Sequence, residues 1–450
     1  ERCGVIGSSC ECLRVIMQLS CKGKGLIFGA DMKKIACLLS ALAGLLLPVG
    51  AQSLAECIAT AQENNIEMRV ADLQVQRSRR MEGTFFEMEK TWLTLSQDPT
   101  SGGSPDNALT LSQQFDFPTV YGSRRKLLRA ETQVALSRRR LAESLLTRDV
   151  ASAYSTLLYW QHIEALLREN DSILTAFVAT ADSRYMNGES NRLELMNARR
   201  MKAENTMQLQ EAQSKKAAVV LQMQQLMNTQ EPIVATDDYQ CVRASEETFS
   251  FAATAQGQLI ESETLRSERQ LAYAGQGLMP SLNVGLRHQL VIPGINPYNV
   301  DRSRFAEGNW MGFEVGIGIP LFYGSQKAKR AAARIDVDIA RASREQAERQ
   351  SDTDMLQAEN TVAAARRSYD YYQTDGLTAA REMRRLSCVE YEAGEISYVE
   401  HVQNLSSALA FEMDDAKATD ALNQAVIRLN FIKADPTPTP PLGREGSSEK

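Results

Sequence analysis

The sequence has 450 residues, with 50 Lys and Arg against 56 Asp and Glu, a net charge of −6, and eight cysteines. An acidic chain with no basic stripe carries no electrostatic footprint for nucleic acid, so no nucleic-acid partner is expected. About 400 residues could fill two or three ordinary domains, which makes internal organisation the first question.

In chain order, Met32-Lys33-Lys34, the apolar run Ile35–Val49 and Gly50-Ala51-Gln52 have the basic, apolar and small-residue regions of a secretory signal. Pro48-Val49-Gly50 closes the apolar run short of the roughly 20 residues a bilayer span needs. Residues 32–51 are therefore read as a signal peptide and residues 1–31 as mis-called upstream sequence. Residues 1–51 hold six basic groups against three acidic ones, so the mature chain carries −9. Only Cys57, Cys241 and Cys388 remain in it, an odd and sparse set that makes neither a disulfide framework nor a zinc site.

Leu54–Met88 has a helical pattern with a break at Asn64-Asn65. Residues 91–96 alternate like a short strand, the Pro, Gly and Ser of 99–107 read as a loop, and 108–117 read as a second strand with one oily and one wet side. Pro118 and Gly122 end that strand, and no glycine or proline then interrupts Ser123–Asn187. Gly188, cheap at positive φ, ends the run, and a returning helix reaches Glu231.

Residues 232–252 form a linker, and the plan then repeats over residues 253–435. Thr254–Leu278 reads as helix, 281–290 and 310–319 as strands, and Val291–Asn309 as a loop. Tyr323-Gly324-Ser325 echoes Tyr121-Gly122-Ser123 at an offset of 202, and the turn around Tyr391, Gly394 and Glu395 echoes that around Tyr185, Gly188 and Glu189 at 206. Two independent anchors mean one duplicated unit, 52–231 and 253–435: helix, strand, strand, long helix, turn, returning helix. At about 1.5 Å per residue, the first long helix spans roughly 98 Å and the second roughly 104 Å. In each half the two shorter helices, stacked end to end, match the long one. The tail at 436–450, rich in proline, glycine and serine, reads as disordered.

Strands of roughly ten residues with one apolar and one polar face suit a transmembrane β-barrel. No other apolar layer is available to cover the oily face, because the rest of the chain is long helix. Four strands cannot close a barrel, and open edges are not tolerated in hydrocarbon, so several copies must contribute.

The duplication, the two Tyr-x-x-Gly-Glu turns and the strand-Pro-x-x-Tyr-Gly-Ser-helix junctions resemble the TolC-type outer-membrane efflux channels over Leu54 to about Ala434. The resemblance implies a mainly α fold with a small membrane β-barrel. Three copies would supply 12 strands in outer-membrane lipid and a long periplasmic α-helical barrel. The partners it implies are a homotrimer, a periplasmic adaptor protein and an inner-membrane efflux pump, most of all one of the RND type; no cofactor, metal or catalytic residue is implied. Leu111-Ser-Gln-Gln-Phe-Asp-Phe-Pro118 with Arg124-Arg125-Lys126 looks most like the heavy-metal branch, which suggests metal-cation export.

In that family the glycine turns form the periplasmic tip, which places Tyr185, Gly188, Glu189, Tyr391, Gly394 and Glu395 at the adaptor contact. It places Glu194, Tyr391 and Glu400 at the gate, with a hydrogen bond expected between Tyr391 and Glu194. Gln403 stands where relatives often carry a further acid, and Ile396 where they often carry a base, so the closed state needs other contacts. Glu400 reads equally well as a solvated helix residue. His401 beside it is a weak metal candidate, and Met196, Met201, Met207, Met223 and Met227 read as packing. Two further readings are a periplasmic coiled-coil adaptor or scaffold without a barrel, and the exit duct of a type I secretion system.

Overall fold

The computed structural model describes residues 51–99, 105–290 and 311–433. The segment 1–31, nearly all of the signal peptide, the loop tips 100–104 and 291–310 and the tail 434–450 lie outside the described residues.

Ser53 starts the first helix, α1 (Leu54–Asn64), with a capping box: Glu56 N–H donates to Ser53 Oγ at 3.4 Å, and Glu56 Oε2 accepts from Ser53 N–H at 2.9 Å. The expected break at Asn64-Asn65 is the N-cap of α2 (Ile66–Glu82), where Asn65 Oδ1 takes the N–H groups of Glu67 and Met68. Helix α2 ends earlier than its pattern suggests, through a 3₁₀ turn at Gly83–Phe86.

Strands β1 (Trp92–Pro99), β2 (Pro105–Asp116), β3 (Ser281–Leu290) and β4 (Met311–Gly318) form one antiparallel sheet in that order. The first hairpin reaches further into its expected loop than composition indicates, because the ladder continues to a Pro99–Pro105 pair. Proline is tolerated at the end of a ladder, where no further N–H is needed. Cross-strand register lines up Leu93, Leu111, Leu286 and Phe313, and beside them Gln113, Val284 and Val315, on one face. The opposite face carries Thr110, Ser112, Gly285, Arg287 and Glu314. Leu93, Phe313 and Ile317 are 66%, 82% and 68% exposed, so the oily face of the sheet is bare.

Two rods descend from the sheet. The first is α3 (Pro118–Met186), 69 residues, with proline at its start where a missing N–H costs nothing. The second is α6 (Gly324–Tyr371), a π turn at Tyr372–Gly376, and α7 (Leu377–Glu392), the same length overall. The π turn is how the run accommodates Gly376, where a Cβ would meet the Tyr372 ring at 2.9 Å. The returning helices are α4 (Arg192–Met227) and α8 (Tyr398–Ile432), and α5 (Ala255–Ala274) precedes β3. Near the sheet the helices lie side by side in the order α2, α3, α5, α6; further down, α4 and α8 take the places beside α3. The end-to-end stacking inferred from lengths is thus observed.

Ion pairs repeat with the duplication. Arg139 of α3 reaches Asp72 of α2 at 2.5 Å, and Arg341 of α6, 202 positions on, reaches Glu268 of α5 at 3.1 Å. Glu164, buried on α3, binds Arg168 at 2.6 Å and Lys216 of α4 at 2.9 Å. Burial alone would raise its pKa, but the bond to Lys216 and the two positive charges hold the carboxyl below its usual value.

The linker is strapped to α8 by two buried asparagines one heptad apart. Asn423 Oδ1 accepts from Val242 N–H at 2.7 Å, and its Nδ2 donates to the Gln240 carbonyl at 3.0 Å. Asn430 does the same to Ser245 N–H and the Arg243 carbonyl. Among the described residues Cys57, Cys241 and Cys388 are free, and burial pushes the Cys57 thiol up to about 12, which fits packing rather than reactivity.

Candidate functional site: the two glycine turns

Both turns are Schellman motifs with the same bonds. In the first, Glu189 N–H donates to the Arg184 carbonyl at 2.8 Å and Gly188 N–H to the Tyr185 carbonyl at 3.0 Å. In the second, Glu395 N–H donates to Glu390 at 2.8 Å and Gly394 N–H to Tyr391 at 3.0 Å. Gly188 and Gly394 each have φ +75°, and a methyl group added at either would meet nothing within 4 Å, so the backbone angle alone requires glycine. Gly188→Ala and Gly394→Ala should each cost about 1–2 kcal/mol, the left-handed penalty for a side chain. Limited proteolysis should show this as faster cleavage at the turns, with the midpoint of global unfolding little changed.

Three residues past each glycine lies the N-cap of the returning helix, Asn191 in one repeat and Ser397 in the other. Glu194 N–H donates to Asn191 Oδ1 at 3.0 Å. Glu400 completes a capping box: its N–H donates to Ser397 Oγ at 3.3 Å, and its Oε2 accepts from Ser397 N–H at 2.8 Å. The Ser397 backbone N–H, then its side chain, holds the exposed Glu400 carboxyl below its usual pKa. The carboxylate of Glu400 therefore has a local role in starting its helix, whereas at Glu194 only the backbone N–H takes part.

Within the single chain, the expected bond between Tyr391 and Glu194 is absent. The Tyr391 ring instead stacks on His401, with centroids 4.6 Å apart and planes at 12°, and leans on Tyr398 at 5.6 Å. His401 Nδ1 donates to the Ser387 carbonyl at 2.9 Å, and Ser387 Oγ donates to the His401 carbonyl at 3.2 Å, which ties α7 to α8. No cluster of three His, Cys, Asp or Glu capable of holding a metal occurs among the described residues, so His401 has no co-ligands there. Met223 and Met227 are fully buried core; Met196 and Met207 are exposed, and Met201 packs on the tip cluster.

The contact that joins the two repeats at the tip belongs to Tyr398. Its hydroxyl donates to the Phe177 carbonyl of α3, and its ring stacks on Phe177 at 3.9 Å and 21°. Higher up, Arg384 of α7 spans Glu169 of α3 at 2.9 Å and Glu412 of α8 at 2.7 Å. Sequence reasoning missed both. Tyr398 sits four past the glycine where the first repeat has Arg192, and that departure from the repeat was the available signal. Ile396, in the position often held by a base, is half-buried, and Gln403 is exposed.

A sheet with a bare apolar face stands at one end of two long rods, and paired glycine turns stand at the other. Residues 261–433 match the family model described as outer membrane efflux protein. No curated protein matches the chain by sequence. Among solved structures, CusC, whose structures are described in terms of folding and transmembrane channel formation, is 18% identical with a TM-score of 0.68, covering 84% of this chain and 91% of its own. The outer-membrane channel OprN is 14% identical with a TM-score of 0.70, covering 85% and 90%. The outer membrane protein VceC of Vibrio cholerae is 15% identical with a TM-score of 0.66, covering 85% and 96%. The second repeat thus matches the outer membrane efflux protein model, and the whole chain shares the fold of these outer-membrane channels.

Proposed function

We propose that the chain is the outer-membrane exit duct of a tripartite efflux system. It is a passive homotrimeric channel whose tip docks a periplasmic adaptor and whose energy comes from an inner-membrane pump of the RND type. The observation that carries this reading is the four-stranded sheet. Its outer strands β1 and β4 each leave one edge without a partner among the described residues, and its apolar face is exposed from Leu93 to Ile317. Open edges and bare Leu, Phe, Val and Ile are untenable in water or lipid unless copies join edge to edge, and three copies give 12 strands with the oily side in hydrocarbon. The wet face, with Arg287 and Glu314, then lines the lumen. A periplasmic adaptor without a barrel has no use for such a face.

No helix among the described residues is long and apolar enough to cross a membrane. At the other end, the identical backbones at Gly188 and Gly394 offer an adaptor repeated contacts, with Tyr185, Glu189 and Glu395 beside them. Threefold repetition of Glu194 and Glu400 makes an acidic rim that favours cations at the entrance. Metal-cation export is the substrate reading this rim favours. A type I secretion duct shares the same fold.

Purified from outer-membrane fractions, the protein should run as a heat-modifiable trimer and form conducting channels in planar bilayers. Recovery as a folded, non-conducting monomer from the soluble periplasm would reject the duct in favour of the adaptor.

A further inference from the structure

Between α3 and α5, just below the sheet, runs a furrow of about 670 Å³. Lys126, Arg129 and Arg140 line it from α3 and Arg269 from α5, and Glu261 is its only acid. None of these four cations has an ion-pair partner among the described residues. The run Arg138-Arg139-Arg140 makes the point within three residues. Arg138 pairs with Glu263 at 2.8 Å and Arg139 with Asp72, whereas Arg140, turned into the furrow, meets only the amide oxygen of Gln258 at 3.1 Å. On the floor, the buried hydroxyls of Ser137 and Ser262 bond to each other at 2.7 Å.

The charge is not something this stretch of helix needs in order to pack. In the second repeat, 202 positions on, Lys126, Arg129, Ser137 and Arg140 correspond to Ala328, Ala331, Ile339 and Ala342. One copy of the unit has made this face apolar and the other has loaded it with unpaired cations. Like charges three apart on a helix repel, at a cost of a few tenths of a kcal/mol, unless an anion lies between them. Both lining helices are interior to the layer, flanked by α2 and α6, so association of copies through the outer helices leaves the furrow open.

We propose that this furrow is a binding site for an elongated polyanion bearing phosphate or carboxylate groups. The position of its occupant relative to the bilayer and the conductance arm of its test rest on the exit-duct reading; the binding measurement does not. The cations begin about 12 Å from the start of α3 and continue to about 33 Å, so the occupant extends away from the bilayer beyond the reach of a lipid headgroup. Fixed guanidinium forks suit phosphate and carboxylate alike.

Calorimetry on the purified full chain in detergent, with tripolyphosphate as probe, tests it. Binding should weaken steeply with added salt. Arg129→Gln combined with Arg140→Gln should lower affinity about tenfold or more, as expected for two lost charge-assisted contacts. Arg138→Gln, which disturbs only an existing pair, should leave affinity unchanged. Should the double variant fail to assemble, Lys126→Gln with Arg269→Gln makes the same test at the upper end. No binding by the parent protein, or equal binding by parent and furrow variants, overturns the site. Conductance separates the two sources of ligand: block by tripolyphosphate identifies the site with anionic cargo inside the tunnel, and binding without block with an anionic polymer of the periplasm outside it.

Discussion

Ile335→Asp together with Ile339→Asp should convert the proposed trimer to monomer in detergent, as measured by light scattering. Both side chains lie on α6, the outermost helix of the layer, and are 59% and 57% exposed. On α2, at the opposite edge, Val70 and Leu73 are also exposed, at 47% and 54%. The duplication says what should meet what. The corresponding face of α3 is covered by α5, so the same face of α6 awaits a helix, and the next copy's α2 is the one left without a neighbour. Each isoleucine buried there contributes roughly 1.5–3 kcal/mol, repeated at three interfaces. An aspartate in its place would have to give up its hydration, at a cost of several kcal/mol per charge. Arg334→Asp, on the same helix but one position off that face, should leave assembly intact. A stable trimer from the double variant would move the helical interface elsewhere.

Tyr398→Ala should loosen the tip more than any other single change there. The side chain is 5% exposed, stacks on Phe177 and donates to its carbonyl. Truncating a buried aromatic costs about 3–5 kcal/mol. Here the loss falls on the last turns of the hairpins, which can open without global unfolding. Single-channel conductance in planar bilayers should rise, and proteases should cut faster between Met186 and Asn191 and between Glu392 and Ser397. Tyr391→Phe is the contrasting variant. Its ring stacks on His401 and makes no bond to Glu194, and phenylalanine keeps the stack, so conductance should stay near that of the parent protein. If Tyr391→Phe opened the channel and Tyr398→Ala did not, the contact between repeats would not be what holds the tip.

What could be read in the sequence was whatever depends on periodicity and on glycine. Two-residue alternation located the four strands of the long sheet, since a half-bare sheet must alternate. The two glycines were legible because positive φ is close to a glycine monopoly, and their spacing from Tyr185 and Tyr391 exposed the duplication. What escaped depends on partners far away in sequence. Asn423 and Asn430 look like ordinary polar residues of a helix until the linker, about 180 positions earlier, is seen lying on them. Arg384 gives no hint that it spans Glu169 and Glu412. The capping role of Glu400 escaped for the opposite reason. That role is local, three residues from Ser397, and the capping box was readable from Ser-x-x-Glu alone.

The two glycine turns share one backbone but not one set of flanks. Where the first repeat has Ala181, Arg192 and Leu195, the second has Ser387, Tyr398 and His401. In a threefold assembly, a visitor that grips only amides and carbonyls meets six interchangeable docking points and can land in either of two registers. One that also feels the exposed Arg192, which the second turn replaces with a buried tyrosine, finds three addresses of each kind and only one way to sit. Arg192→Tyr would blur that distinction while leaving every turn hydrogen bond in place.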